Sequence, residues 1–275
     1  MSFTEQLNSL LEQYNIPHVS CIPLSECEVI HKHKIDRCAF PEGDELYVCL
    51  MTIPYYVEGT RTNISSYAKS RDYHIFCDML MADILPQLRA SFPEYKFFGF
   101  YDNSPIKEVP AALKAGLGVL GKNNLIITEK YSSYVFICEI ITNCPAEVNT
   151  DLQIKHCMDC GKCQSLCPAS KCGMCLSELT QKKGELTHKE QAAIKKYGYA
   201  WGCDICQECC PHTLRAKECG TIYTDIDFFK NHRMEALSAA ELESMSDGEF
   251  SCRAYSWRGK KTIMRNLKIL EEGEA

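Results

Sequence analysis

The chain has 275 residues, 45% hydrophobic and 24% charged, with a formal net charge of −6. That balance fits a globular protein of one large domain, or a core domain plus a small module, and excludes a general nucleic-acid binder while leaving room for a local basic patch. No run of about 18 apolar residues occurs, so no transmembrane helix is expected, and the N-terminal MSFTEQLNSLLEQYNIPHV lacks the basic start and apolar core of an export signal, which makes the expected location cytoplasmic.

Residues 1–150 read as mixed α/β. TEQLNSLLEQY at 4–14 has helical apolar spacing, with Thr4 as the expected N-cap. HKHK, with His31 and His33, reads as a solvated loop. ELYVCLMTIPYY at 45–56 is a strand that stops at Pro54. HIFCDMLMADILPQLRASF at 74–92 returns to helical spacing, with Pro86 expected to kink or break it. YKFFGFYD at 95–102 reads as a buried aromatic strand, and IKEVPAALKAG as a helix closed by Gly116. NLIITEKYSSYVFICEIIT at 124–142 is expected to form a hairpin of two apolar strands. Residues 151–222 form a cysteine-rich module, and 223–275 read as a polar tail with a basic segment. Inside the module, THKEQAAIKKYG is a helix with a Thr187–Glu190 capping box and Gly198 at its end.

Ten of the 19 cysteines lie between Cys157 and Cys210. With no export signal, these sulfurs read as metal ligands and reduced thiols rather than disulfides. Cys21, Cys27, Cys38, Cys49 and Cys77 are scattered and are expected to be packed or surface thiols. The first run is Cys157, Cys160, Cys163 and Cys167-Pro168, the bacterial ferredoxin spacing for [4Fe–4S] clusters. Structural zinc sites use two Cys pairs separated by a longer loop, which fits three cysteines in seven residues poorly. The second run is Cys203, Cys206 and Cys210-Pro211, with Cys209 inserted. In ferredoxin logic the cysteine before proline crosses to the other cube. Cys210 then joins Cys157, Cys160 and Cys163, while Cys167 joins Cys203 and Cys206. The eighth ligand stays open on spacing: Cys172, Cys175 and Cys209 all qualify.

The stretches CMDCGKCQSLCP, CLSELT and WGCDICQECCP resemble the iron–sulfur module of the epoxyqueuosine reductase family. SYAKSRDYH at 66–74 and YDNSPIKEVPAALKAGLGVLGKNNL at 101–125 extend the resemblance, which covers roughly residues 45–270. It implies an α+β architecture, with a nitroreductase-like α/β cobalamin-binding domain followed by a ferredoxin-like two-cluster module. It makes Cys175 the eighth ligand and Cys209 a bystander. It also implies cobalamin between the N-terminal half and the clusters, with Tyr73, His74, Gly121, Lys122 and Asn123 as cofactor contacts. For His74 a purely structural role is the alternative. Without the resemblance, GLGVLGK suggests a dinucleotide loop, but here a helix precedes the glycines and a strand follows, the reverse of that fingerprint.

The family's catalytic acid falls on Asp102, at the end of an apolar strand where a carboxyl group tends toward a raised pKa and proton donation. A helix N-cap is its alternative role. The implied reaction is reduction of epoxyqueuosine in tRNA to queuosine, with electrons from flavodoxin or ferredoxin and a monomeric, membrane-free protein. Two departures stand out: CEVIHKHKIDRCAFPEGDEL lacks the family's Gly- and Met-containing segment, and the C-terminal helical-repeat extension of many members has no counterpart, which makes this a short form. The segment 253–268 carries six basic residues, no acidic ones and Trp257, a candidate phosphate grip beside the plainer reading of a solvated helix face. A cobalamin and iron–sulfur reductase of a smaller substrate and a two-cluster electron carrier without cobalamin are the competing readings.

Overall fold

The computed structural model describes residues 1–17, 19–148 and 156–272. The chain forms two compact units, Met1–Pro54 with Phe76–Met158, and Tyr55–Ile75 with Asp159–Ala275. This differs from three consecutive segments: residues 55–75 group with the cysteine-rich part, and 223–275 are no separate tail. The expected 150/151 boundary lies outside the described residues.

The first unit is built on one antiparallel sheet of order β1 (Ser20–Pro23), β2 (Tyr47–Pro54), β6 (Val135–Thr142) and β3 (Phe97–Tyr101). YVCLMTIP is apolar on both faces, and β2 is buried along all but its first residue. α1 (Phe3–Glu12) begins two residues earlier than expected. Ser2 is its N-cap, and Ser2 with Glu5 completes a capping box that Thr4 could not. The exposed helix α2 (Lys32–Arg37) replaces the expected loop at His33.

α3 (Tyr73–Ser91) runs through Pro86 without interruption. Pro86 removes one backbone donor, yet Phe76, Cys77, Leu80, Met81, Ile84 and Leu88 bury one face and hold the helix. α3 lies under the sheet face that carries Gly99 and Cys138. Cys77 Sγ is 3.3 Å from Cys138 Sγ, and a Cβ at Gly99 would collide with Met81. α4 (Glu108–Lys114) covers the other face, packing Ala111 and Ala112 against Val48, Leu50 and Ile141.

The expected 124–142 hairpin does not form. β5 (Ile126–Ile127) pairs with β4 (Val119–Leu120) in a separate two-stranded sheet, while β6 inserts between β2 and β3. Cys21 and Cys49 also depart from the free-thiol expectation. They face each other across β1 and β2 with Cα atoms 4.0 Å apart and form a disulfide. That close approach is the spacing of a non-hydrogen-bonded antiparallel pair, which sequence alone does not reveal.

The second unit is helical: α5 (Lys162–Leu166), α6 (Ala169–Cys172), α7 (Leu176–Gln181), α8 (His188–Tyr197), α9 (Ile205–Glu208), α10 (Pro211–Glu218), α11 (Asp227–Lys230), α12 (Ala239–Ser244), α13 (Asp247–Ser251) and α14 (Lys260–Glu271). Thr187–Glu190, Ser238–Glu241 and Ser246–Glu249 are capping boxes. The residues expected as a tail supply much of the core: Leu242, Tyr255, Ile263 and Leu267 pack with Ile64, Ala68 and Trp201. Trp201 Nε1 donates to Tyr67 Oη at 2.7 Å, and Asn266 Nδ2 donates to the carbonyls of Thr180 and Ala200. No helix among the described residues is long and apolar enough to cross a membrane.

Candidate functional site

In the first unit, β3 ends at Tyr101 and delivers Asp102 into a short loop before α4. Asp102 is exposed and sits in the left-handed region, φ 55°, a conformation disfavoured for a residue with a Cβ. It does not cap α4, whose N-cap is Lys107. Its backbone N donates to Glu108 Oε1 at 3.1 Å.

The burial expected at Asp102 falls on two neighbouring carboxyls instead. Glu108 is pushed up to about 7 by burial and by the Asp102 charge. Glu139, in the middle of β6 and fully buried, is pushed up to about 8 by burial and by Glu108. Sequence reasoning passed over both. The available signal was a single glutamate within the apolar run VFICEIIT, a place where a carboxyl must be neutral or paired.

The glycine loop follows α4. Gly116 closes the helix with φ 72°. A Cβ on Gly118 would meet Ile126 Cγ1 at 2.9 Å, and one on Gly121 would meet Ile127 Cδ1 at 2.9 Å. Packing against β5, and at Gly121 also against the Asn123 side chain, thus requires these two glycines. Lys122 is exposed. Asn123 Oδ1 accepts from Leu125 N at 3.3 Å, while its Nδ2 is a buried donor with no hydrogen-bond partner among the described residues.

In the second unit, Tyr73 and His74 open α3, with ring centroids 4.2 Å apart. Asp72 Oδ1 engages both the backbone N of His74 at 3.0 Å and its Nδ1 at 2.8 Å, so the imidazole is held by a local carboxylate.

Electrostatic neighbours link the cysteines of the two runs. Burial pushes Cys206 up to about 12, and Cys167 and Cys175 stand close enough to add charge repulsion. Burial likewise raises Cys203 to about 12, with Cys206 and Cys175 among its charged neighbours. Cys167, Cys175 and Cys209 are thus all charged neighbours of Cys206, although Cys167 belongs to the first sequence run. Around Cys209 the neighbours are Cys163, Cys210 and Cys160, and the Cys209 thiol donates to Cys206 O at 3.6 Å. Cys157 falls in the first unit, one residue before its end at Met158. The Cys172 side chain lies outside the described residues.

Among the described residues no three such side chains close on a point where one metal ion could sit. Two sulfurs bound to a single zinc stand at most about 4.6 Å apart, twice a bond of about 2.3 Å. Thiolates on different irons of a cube are spaced more widely.

Half of the basic segment is engaged within the fold. Arg253 donates to His232 O at 2.8 Å, Lys260 to Met245 O at 2.6 Å and Arg265 to Lys182 O at 2.9 Å. The Arg258 guanidinium stacks 3.8 Å from the centroid of Trp257, which is 59% exposed, and Lys261 and Lys268 are exposed.

A comparison with models of known protein families finds no match. Among curated proteins, the chain is 33% identical over 198 residues to the epoxyqueuosine reductase of Gloeobacter violaceus, covering 69% of this chain and 62% of that protein. It is 31% identical to the Pseudomonas aeruginosa epoxyqueuosine reductase and 30% to that of Listeria monocytogenes, covering 75% and 80% of this chain and 59% and 60% of theirs. The chain thus spans about three-fifths of the length of these relatives. The structure of epoxyqueuosine reductase from Streptococcus thermophilus superposes with a TM-score of 0.76 at 21% identity, covering 100% of this chain and 82% of that one. An epoxyqueuosine reductase crystallised with an epoxyqueuosine-modified tRNA-Tyr stem loop gives 0.73 at 22% identity, covering 98% and 81%. The shared fold and the curated matches together show that the chain belongs to the epoxyqueuosine reductase family.

Proposed function

We propose that this chain is a cytoplasmic oxidoreductase that reduces epoxyqueuosine in tRNA to queuosine, using two [4Fe–4S] clusters and cobalamin. The observation that carries it is that Cys206 has both Cys167 and Cys175 among its charged neighbours, which brings the Cys-Pro cysteine of one run near the other. That crossover is what a two-cube module requires. One cluster would be held by Cys157, Cys160, Cys163 and Cys210, the other by Cys167, Cys175, Cys203 and Cys206. The second unit then corresponds to the ferredoxin-like module, and the first to the nitroreductase-like cobalamin domain.

When bound, cobalamin would supply a low-potential nucleophilic centre for carbon–oxygen cleavage, and the clusters would pass electrons singly from a flavodoxin or ferredoxin. Asn123, with its unpartnered buried donor, supports a cofactor contact in the first unit; the backbone at Gly118 and Gly121, covered by β5, does not. Asp102 would hold the proton delivered to the departing oxygen, and its exposed loop leaves it accessible to a substrate.

The stem-loop complex of a structural relative supports an RNA substrate. Trp257, Arg258, Lys261 and Lys268 are the part of the basic segment that would meet it. The inward commitment of Arg253, Lys260 and Arg265 favours a second reading, a smaller substrate, over a broad RNA face. Asp102→Asn tests the assignment. The variant should keep its iron and its spectral response to added cobalamin, yet lose turnover, because an amide is a poor proton donor. Full activity in Asp102→Asn would remove the proton-donor role.

A further inference from the structure

Glu139 occupies the middle of the central strand β6 with no exposed surface. Its cross-strand neighbours are Leu50 on β2 and Phe100 on β3. The Ser104 hydroxyl donates to Glu139 Oε1, and Oε2 has no hydrogen-bond partner among the described residues. Ser104 Oγ also accepts from Ile106 N at 3.1 Å. One buried carboxyl is thus tied through one buried hydroxyl to the loop that begins with Asp102. Two more contacts close the same loop: Asp102 N donates to Glu108 Oε1 at 3.1 Å, and Lys34 Nζ donates to Asn103 O at 2.5 Å. The left-handed backbone of Asp102 costs energy unless its surroundings hold it.

We infer that Glu139 and Ser104 are positioning residues, a latch that fastens loop 102–106 to the sheet and presents the Asp102 carboxyl in one place while Glu139 carries its proton. This rests on the reading of Asp102 as proton donor. Burial, with Glu108 adding to it, pushes Glu139 up to about 8. Among the described residues, the charged and titratable groups around it are Glu108 on α4, which repels its ionised form, Lys34 on α2, which favours it, and the thiols of Cys27 and Cys138. Ionisation leaves Oε2 charged with no donor among the described residues, a cost that the Ser104 donation to Oε1 offsets only in part. It also sets Glu139 in competition with Asn103 for the Lys34 ammonium, which loosens the loop as the pH rises.

The test uses the full chain reconstituted with its clusters and cobalamin. Ser104→Ala and Glu139→Gln are compared with the parent in two ways: turnover of an epoxyqueuosine-bearing RNA stem loop, and hydrogen exchange of the Asp102 and Asn103 amides without substrate, corrected for intrinsic pH dependence. Ser104→Ala should exchange about tenfold faster at both amides and lose about tenfold or more in kcat with KM unchanged, the scale expected for a misplaced catalytic group. As the pH rises from about 5 to about 8 the parent should show faster exchange and falling kcat, both levelling off above about 8. Glu139→Gln, which cannot ionise, should show neither. Parent-like exchange in Ser104→Ala overturns the latch, as does an unchanged pH response in Glu139→Gln. If Ser104→Ala does not fold, the pH profile of Glu139→Gln decides alone. Exchange needs no substrate, so a wrong substrate assignment abolishes turnover in the parent while leaving the latch measurable.

Discussion

The first unit rests on a four-stranded sheet whose second strand is buried along nearly its whole length. The second has helices of four to twelve residues and, among its described residues, no strand longer than an isolated bridge. Helices shorter than about 12–15 residues are marginal in water, so such a unit needs ties between its pieces. Capping boxes supply some, and Asn266 and Arg265 supply others by reaching the carbonyls of distant segments. Bound clusters would supply the rest, because metal binding to a site absent from the unfolded chain adds directly to folding free energy. The first unit is held by burial of its sheet, whereas the second joins its own apolar core around Trp201 to ties between short helices.

The largest effect should come from removing the metal. Anaerobically reconstituted protein should hold about eight irons and negligible zinc. Chelation should then strip amide protection from α5, α7 and α9 while β2 and β6 keep theirs. Equal loss in both units, or stoichiometric zinc with no iron, breaks the contrast. The next effect is halved. Cys175→Ala should lose about half the iron, the content of one cube, whereas Cys209→Ala should lose none, its thiol being engaged with the Cys206 carbonyl. Iron analysis of both variants settles the eighth ligand, and loss that follows Cys209 restores the alternative spacing.

A pH effect should be confined to the first unit. Glu108 and Glu139 have folded values raised to about 7 and about 8. Between the ordinary carboxylate value and those figures the folded state binds more protons than the unfolded one. Stability is therefore full in acid and falls as the pH rises, by at most about 1.4 kcal/mol per unit for each group. Glu139→Gln should flatten part of that slope in chemical denaturation. A parent whose stability rises from pH 5 to 8, with Glu139→Gln unchanged, contradicts the buried-acid account. The smallest effect concerns the basic segment. Arg258→Ala with Lys261→Ala should reduce the salt slope of tRNA binding by about 0.7–0.9 for each phosphate that the variant no longer neutralises. Arg265→Ala should lower stability instead, since its guanidinium holds the Lys182 carbonyl. Salt titrations and denaturation curves on the two variants separate the roles.

Much of the second unit was legible because its signals are local. The spacing of Cys157, Cys160, Cys163 and Cys167 and the Thr187–Glu190 cap need only a few neighbouring residues. The first unit was harder. Strand β2 could be read from its apolar run, but the partner of β6 could not, because pairing is a long-range choice and β5 was the nearer candidate. The same limit hid the Cys21–Cys49 disulfide and the grouping of 55–75 with the cysteine-rich part. Asp102 was marked by resemblance, whereas Glu139 and Ser104 gain meaning only when β6 comes to lie beside the loop.

Single turnover of an epoxyqueuosine-bearing tRNA stem loop, run anaerobically with the reconstituted and reduced protein, is the most direct test of the proposed activity. Mass analysis of the RNA should show loss of one oxygen atom, with Asp102→Asn leaving it in place. An intact epoxide in the presence of protein that carries both clusters and binds cobalamin would contradict the account.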